Sequence, residues 1–548
     1  MTFHRTALAS AIVAACAAFG NWNAAQAQIV PGAPAIPAMP AIPAAPVLPA
    51  EAASGAAAEN LAPAPTTYLS PSVAVLATGT SNANFGTGLS PRSDTVLEVV
   101  PRLVVVSDHA HWHLRGDFSL DGLYYARGTQ TNRVLPIGSL NLRSELVDRF
   151  VYLNAGVQSQ QNIVNPYVGQ QTPGTSNQYT STQYRINPYI DRLINPDLRF
   201  IASSDDIWTK INNNPTNAGV FGGRYSVQTV SLDQRPLPWG YTLVARQTDT
   251  TYTNLPFASL KDTSFRAIGN YALSDRLTLG LIGGYEKVTA FLAEEKKPIY
   301  GVRGSWQPNA LGNIDATVEH RYFGTGWNIQ ALGGSPLLRF SMNWTRGPST
   351  YLSALAGGGV PGSNITTLLD GMLLSQYPDP VARAQAVQGL LTNSGLPAGL
   401  STANSFYTSS ATLQNALSIT ALLLRQRNSY AISLYRTKTE DLFLPGQSLL
   451  QLVQTFSSDN IQTGVAFNYG RRLTPLDNLN VTLLRADNSG FGFNAGLSSR
   501  QTSLVAQFDH QFSPRTTGLL GVRRQLLRST LVGNSNESAV FAGVVHRF

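Results

Sequence analysis

Leu273-Ser274-Asp275-Arg276-Leu277-Thr278-Leu279-Gly280-Leu281-Ile282-Gly283-Gly284-Tyr285 is the stretch whose reading decides the fold. Ser274-Asp275-Arg276 supplies a tight turn, because Asp and Ser side chains hydrogen-bond their own backbone. After the turn, Leu277, Leu279, Leu281 and Tyr285 recur at period two with Thr and Gly among the residues between them. That spacing places the large apolar side chains on one face of a strand. The same pattern runs through Trp112–Tyr124, where Trp112, Leu114, Phe118, Leu120 and Tyr124 share one face. His113, Arg115, Asp117, Ser119 and Asp121 share the other, with His111 just before them. In Ile461–Arg471, Val465, Phe467 and Tyr469 alternate with Ala466, Asn468 and Gly470. Many such segments run roughly 10–14 residues, the length a tilted strand needs to cross a bilayer. Their second face is rich in Gly, Ser, Asn and Arg, as a wet interior requires.

Connections extend the argument. Short turns recur near residues 108, 148, 195, 237, 275, 310, 335, 427, 476 and 514, many of them carrying Asp, Asn or Pro. Longer polar loops such as 162–178 and 212–222 lie between them. Short turns alternating with longer loops mark a membrane barrel with its turns in the periplasm. Ten turns and eleven loops imply about 22 strands, and soft boundaries admit 18 to 22. The expected fold is therefore all-β: an antiparallel transmembrane β-barrel over 68–548. The chain closes Val540-Phe541-Ala542-Gly543-Val544-Val545-His546-Arg547-Phe548. Val544 and Phe548 lie on its apolar side and form the candidate sorting signal for the barrel-assembly machinery. His546 is a less usual residue there.

The N-terminus reads as an export signal. Met1–Arg5 is a basic start, Thr6–Gly20 an apolar run, and Ala25-Gln26-Ala27 a small-residue cleavage site, giving a signal peptide over 1–27 cut after Ala27. Val13-Ala14-Ala15-Cys16 offers a competing lipid-attachment reading. Residues 28–67 form a Pro/Ala-rich arm, with Pro at 31, 34, 37, 40, 43, 46 and 49. A period of three lines the rings along one side of a polyproline II rod, which suits a stiff periplasmic spacer or a docking ligand. The rest of the arm is expected to be disordered.

Composition excludes several classes. Among 548 residues only 13% are charged, and the single cysteine is Cys16, so disulfide scaffolds, multi-Cys zinc sites and Cys-ligated clusters are ruled out. No apolar run of helical membrane length follows the export signal. Thirty-three Arg stand against six Lys, spread along the chain without an aromatic-basic module, which argues against nucleic acid.

One segment breaks the period-two pattern. Residues 357–404 are Gly-rich and then helix-like over 365–374 and 379–391, with Asp379 as cap and Pro380 in the first turn. The parity of the turns makes this insert extracellular. It serves either as a lid or as a constriction inside the barrel, and partial occlusion is the expected state.

Chemical motifs are few. His109, His111 and His113 at alternate positions would share a face of one strand, the spacing of a weak metal site; a wet rim is the plainer reading. Gly357–Gly362 matches GxGxxG formally, but it lacks a strand–turn–helix setting and contains Pro361. No hydrolase or Walker motif occurs, so neither catalysis nor a cofactor is expected. The candidate site is the lumen, with Glu98, Arg102, His111, His113, Arg115, Asp117 and Asp121 as its inward-facing residues. Arg suits anionic cargo through its planar fork, or else pairs with lumenal acids and with lipopolysaccharide.

Several stretches carry a family resemblance: Asp94-Thr95-Val96-Leu97-Glu98-Val99-Val100-Pro101-Arg102, Leu120-Asp121-Gly122-Leu123-Tyr124-Tyr125, Val151–Asn162, Tyr377-Pro378-Asp379-Pro380-Val381-Ala382-Arg383, Phe512-Ser513-Pro514-Arg515 and the ending His546-Arg547-Phe548. Together they resemble the PEP-CTERM system-associated outer-membrane protein family over residues 68–548. The resemblance implies a Gram-negative outer-membrane protein linked to exosortase sorting and exopolysaccharide loci, with no catalytic residues to carry over. The expected role is export or surface assembly of exopolysaccharide, with a periplasmic export partner. A general diffusion porin and a structural anchor docking through the Pro-rich arm are the alternatives.

Overall fold

Period-two sequences make strands with one apolar and one polar face, and a sheet of such strands hides its edges only by closing on itself. The computed structural model describes residues 67–548 except 169–176, 213–220, 254, 291–292, 310, 336, 357–364, 374–385, 388–399, 401–405, 407, 409–410 and 443–457. The export signal with Ala27 and Cys16, the Pro/Ala arm up to residue 66, the GxGxxG match and most of the expected helix 379–391 lie outside the described residues.

Twenty-two antiparallel strands form one sheet. They are β1 Thr67–Thr80, β2 Asp94–His109, β3 Trp112–Tyr125, β4 Arg133–Val147, β5 Val151–Ile163, β6 Gln178–Asn195, β7 Leu198–Asn212 and β8 Gly223–Gln234. Next come β9 Trp239–Tyr252, β10 Leu255–Ser274, β11 Leu277–Ala290, β12 Ala293–Asn309, β13 Gly312–Arg321, β14 Gly324–Gly334 and β15 Leu338–Ser349. The chain closes through β16 Thr412–Leu424, β17 Asn428–Asp441, β18 Asn460–Arg472, β19 Asp477–Gly490, β20 Ser498–Ser513, β21 Thr516–Ser529 and β22 Gly533–Arg547. Each strand pairs with its chain neighbours, and β1 pairs with β22 from Ser72↔Arg547 to Thr80↔Ala539, which closes the barrel. The count stands at the top of the expected range.

Ten connections at one end span two to four residues each, at the ten positions anticipated from the sequence. The opposite end carries the eleven others, from two residues (Tyr252 to Leu255) to 62 (Ser349 to Thr412). These are called the turn end and the loop end below. Cross-strand registers separate the two faces. Leu97, Val99, Leu103, Leu120 and Tyr124 are exposed on the outside, while Glu98 and Val100 are buried inside. Aromatic side chains ring the outside near the turn end: Trp239 (71% exposed), Tyr271, Trp306, Phe340, Tyr430 and Phe512. Tyr124, Phe265, Tyr285 and Tyr300 do so toward the loop end. Aromatic belts of this kind sit at the two water–lipid boundaries of a membrane barrel.

Val544 and Phe548 both point outward at the turn-end half of β22. The Phe548 amide donates to the Pro71 carbonyl at 3.1 Å, tying the chain terminus to β1. Inside the same seam, Arg523 and Glu537 form an almost fully buried ion pair at 2.8 Å, and the Thr80 hydroxyl donates to Glu537 at 2.7 Å.

Candidate functional site

A closed barrel encloses its lumen, and the strand register places each inward side chain along it. Ser72, Leu76, Thr78 and Thr80 of β1 point inward, and so do Glu98 and Arg102 of β2, paired with Leu76 and Ser72. On β3 the same face carries His113, Arg115, Asp117, Ser119 and Asp121. Arg102 donates to both carboxylate oxygens of Asp117, through Nε at 2.6 Å and through Nη2. Ser119 donates to Asp121 at 3.0 Å. Glu98 is buried beside the Arg523–Glu537 pair.

His111 departs from this row. A two-residue turn, Ala110-His111, separates β2 from β3, so His109, His111 and His113 do not share one strand face. His109 lies against Trp112, with ring centroids 4.4 Å apart. His111 sits at the turn-end rim, 3.7 Å from Glu145 and 3.6 Å from Asp148. Among the described residues no group of three His, Cys, Asp or Glu has metal-binding geometry.

Ion pairs line the lumenal wall from β6 to β13. Arg185 pairs with Asp205 at 2.6 Å and Arg199 with Asp191 at 2.5 Å. Arg266 reaches Glu319 at 2.9 Å. Arg321 bridges Asp262 at 2.7 Å and Glu286 at 2.5 Å, and Glu286 also accepts from the Tyr322 amide at 2.7 Å. Amides continue the wall on β5 and β6: Gln158 donates to Gln160 at 3.0 Å, Gln160 to Asn162 at 3.3 Å, and Asn162 to Ser181 at 2.6 Å. Much of the inward-facing Arg is thus matched by carboxylate, and the wall is ionic without being one-signed.

The facing wall differs. Inward positions in the middle of β16 to β19 are Ala416, Ser418, Thr420, Leu422, Ala431, Ser433, Tyr435, Gly464, Ala466, Leu484 and Ala486, with no formal charge. Tyr435 lies over Gly464, where a Cβ would come within 2.5 Å of the ring, so a larger residue there would push the ring aside.

The insert between β15 and β16 covers this wall. It begins earlier than residue 357, with helix α1 (Tyr351–Ala356), which the sequence reading missed. Thr350 caps α1: its hydroxyl accepts from the Ser353 amide at 3.2 Å, and the Ser353 hydroxyl accepts from the Thr350 amide at 2.8 Å. Tyr351, Leu352 and Leu355 bury themselves with Val164, Tyr179 and Tyr252 at the loop end of β6 to β9. Leu352 seats against Gly223, where a Cβ would lie 2.8 Å from Leu352 Cδ1. A short parallel bridge joins Phe406 of the insert to Ile163.

Helix α2 (Ile365–Leu373) descends further. Ile365, Leu368, Leu369 and Met372 cluster with Leu422, Ala431 and Ala466, flanked by Leu332 and Leu424. Leu422 lies ten residues down β16 from Thr412, roughly 33 Å of strand. The helix therefore rests deep in the lumen, close to the turn end. Burial of such side chains is worth roughly 1.5–3 kcal/mol each, enough to hold a short helix that is marginal by itself.

Beside the insert, two cavities open among the described residues. One of about 630 Å³ opens near the loop end between Arg246, Asp262, Arg266, Glu319, Arg321 and the α1 cap residues Thr350 and Ser353. A second of about 460 Å³ lies nearer the turn end, lined by Arg199, Asp233, Asn270 and Arg303. Val244 borders both, so they follow one another along the ionic wall.

A closed antiparallel barrel with an apolar belt, aromatic rings at both boundaries and a polar interior is a transmembrane β-barrel of the outer-membrane type. Solved structures with a similar barrel include the siderophore receptor PirA from Acinetobacter baumannii (10% identity, 88% of this chain and 81% of that chain, TM-score 0.46). The FrpB iron transporter from Neisseria meningitidis in its apoprotein form is another (11%, 87% and 81%, 0.37). OccK5 (OpdH) from Pseudomonas aeruginosa is a third (9%, 88% and 98%, 0.31). These likenesses concern the barrel and say nothing of what passes through this chain. No protein-family model matches the chain, and no curated protein matches it.

Proposed function

We propose that this chain is a non-catalytic passage across the outer membrane of a Gram-negative bacterium, narrowed by its own insert, and that it aids export or surface assembly of exopolysaccharide within the PEP-CTERM/exosortase system. The observation that carries the reading is the insert itself: α2 is buried on the uncharged wall, and the two cavities described follow the ionic, hydroxyl- and amide-bearing wall. Amides and paired ions hydrogen-bond polyhydroxyl chains while a charge-matched wall avoids trapping them. A 22-strand barrel is wide enough to hold both an occluding segment and a polymer. The family link rests on the quoted sequence stretches, and the Pro/Ala arm supplies a reach toward a periplasmic export partner.

The test is single-channel conductance in planar bilayers, for the full chain and for the chain lacking 357–404, with and without acidic exopolysaccharide. The reading expects low conductance from the full chain, higher conductance after deletion, and blockade by polysaccharide. Equal conductance of both forms, indifferent to polysaccharide, would replace it with a general diffusion channel. A folded, heat-modifiable deletion variant that never conducts would point to an anchor.

A further inference from the structure

We propose that the outer surface of β17 to β21 at the loop end is a binding site for a phosphorylated glycolipid of the outer leaflet. Following the register across the strands, Arg436 faces Thr463, Thr463 faces Asp487, Asp487 faces Arg500, and Arg500 faces Arg528. All these positions share the outward face with the exposed Leu434, Leu504 and Leu526. Arg485 lies one pleat below Asp487. Four arginine positions thus lie within two strands of Asp487 on this face. Asp487 accepts from Arg485 at 3.0 Å and from Arg500.

Arg500 stands directly across from Arg528, a like-charge pair that costs energy in a sheet unless an anion lies between. Asp487 engages Arg485 and Arg500, so the charge of the row stays positive. Below the guanidinium row most outward residues turn apolar within one or two pleats, namely Ile432, Leu434, Leu483, Leu504 and Leu526, while Arg524 across from Leu504 donates to Ser538 at 2.5 Å. A ligand matched to both levels has anionic oxygens at the top and acyl chains beneath. Guanidinium forks bind phosphate oxygens in pairs, which favours a phosphorylated headgroup over a carboxylate of arbitrary geometry. Arg224, Lys287, Lys296 and Lys438 also face outward near the loop end but pair with neighbouring acids, and the outward Lys210 lies over the Tyr184 ring. The β17 to β21 row is where guanidinium exceeds carboxylate.

The experiment measures lipid retained by the purified full chain in detergent, by native mass spectrometry. The lipids are bisphosphorylated lipid A, its dephosphorylated form and phosphatidylglycerol, and inorganic phosphate is added separately as competitor. Lipid A should stay bound, dephosphorylation should weaken binding at least tenfold, and phosphate should compete only weakly. The triple variant R485Q/R500Q/R528Q should lose a similar factor, whereas R192Q, an exposed outward Arg at the turn end, should bind as the native chain does. Equal retention of lipid A and its dephosphorylated form, or of phosphatidylglycerol, would overturn the proposal on the native chain alone. Full displacement by millimolar phosphate would assign the site to the free anion instead. Heat-modifiable migration checks that each variant is folded. Undiminished binding by a folded triple variant would also overturn the proposal.

Discussion

The Tyr167 hydroxyl donates to the Asp459 carbonyl at 3.0 Å, joining the β5–β6 connection to the start of β18 across the mouth of the barrel. Neighbouring bonds reinforce the crossing. Asn488 and Ser499 donate to the Pro166 carbonyl at 3.1 and 2.9 Å, and Ser529 donates to the Tyr167 carbonyl at 2.7 Å. Four strands' worth of separate contacts thus pin one short 3-10 turn, Pro166–Val168. We predict that Tyr167→Phe removes about 1 kcal/mol of this brace without unfolding the barrel. Hydrogen exchange should quicken around residues 165–168 and 458–460 alone. Unchanged exchange there would show that the hydroxyl contributes nothing.

Burial pushes the Asp459 carboxyl above the ordinary carboxylate range, helped by the charges of Asp441 and Glu440 and opposed by the Asp441 amide that it accepts at 3.3 Å. The native state then holds a proton more tightly than the unfolded chain. Its contribution to stability is fully present below the ordinary carboxylate pKa and is lost as pH rises through the raised native value. We predict that Asp459→Asn removes this slope and leaves the chain as stable as wild type, or slightly more so, at neutral pH. Urea midpoints of the folded barrel from pH 4 to 8 would test it, and parallel pH profiles for the two chains would contradict it.

Leu369 is fully buried between α2 and the uncharged wall. Leu369→Ala should cost about 2–5 kcal/mol of local stability, because the deleted methyls leave a cavity among Leu422, Ala431 and Ala466. The strand ladder does not depend on this contact, so the loss should appear as release of the insert. Conductance should flicker to a larger level while heat-modifiability stays intact. A barrel that unfolds as readily as it opens would mean that the insert is part of the fold's core.

Strand faces, the ten turns and the closing strand were legible because period two is written residue by residue. Leu279 and Leu281 outside against Gly280 and Ile282 inside need no tertiary information. Four loop-end connections escaped the rule of long loops, since β9–β10, β11–β12 and β13–β14 are joined by two residues each and β21–β22 by three. Those hairpins resemble turns, and only strand parity assigns their side. Helix α1 was missed because Tyr351-Leu352-Ser353-Ala354-Leu355-Ala356 is too short for a helical period to emerge, and its signal was the Thr350/Ser353 cap. The His109–His113 row failed because a two-residue turn converts one expected strand face into two strand ends. The pairing of lumenal Arg with acids was not readable either: Arg321 meets Asp262 and Glu286 across strands far apart in the chain.

That triad yields the last prediction. The Arg321 side chain is 13% exposed and Glu286 is fully buried, so the guanidinium is what makes two carboxylates tolerable in one place. Removing it leaves Glu286 without its counter-charge, a loss of the order of 3–5 kcal/mol for a buried pair. Arg185 pairs with Asp205 at a similar distance, but its side chain is 51% exposed, and an exposed pair contributes about 0–1 kcal/mol. Arg321→Met should therefore lower the urea midpoint far more than Arg185→Met, and by more than the two ion pairs lost against one would give at an exposed site on the same lumenal wall. The comparison separates burial from charge. Equal effects would mean that water reaches Glu286 freely, and the wall between β10 and β13 would then be as wet as the rest of the lumen.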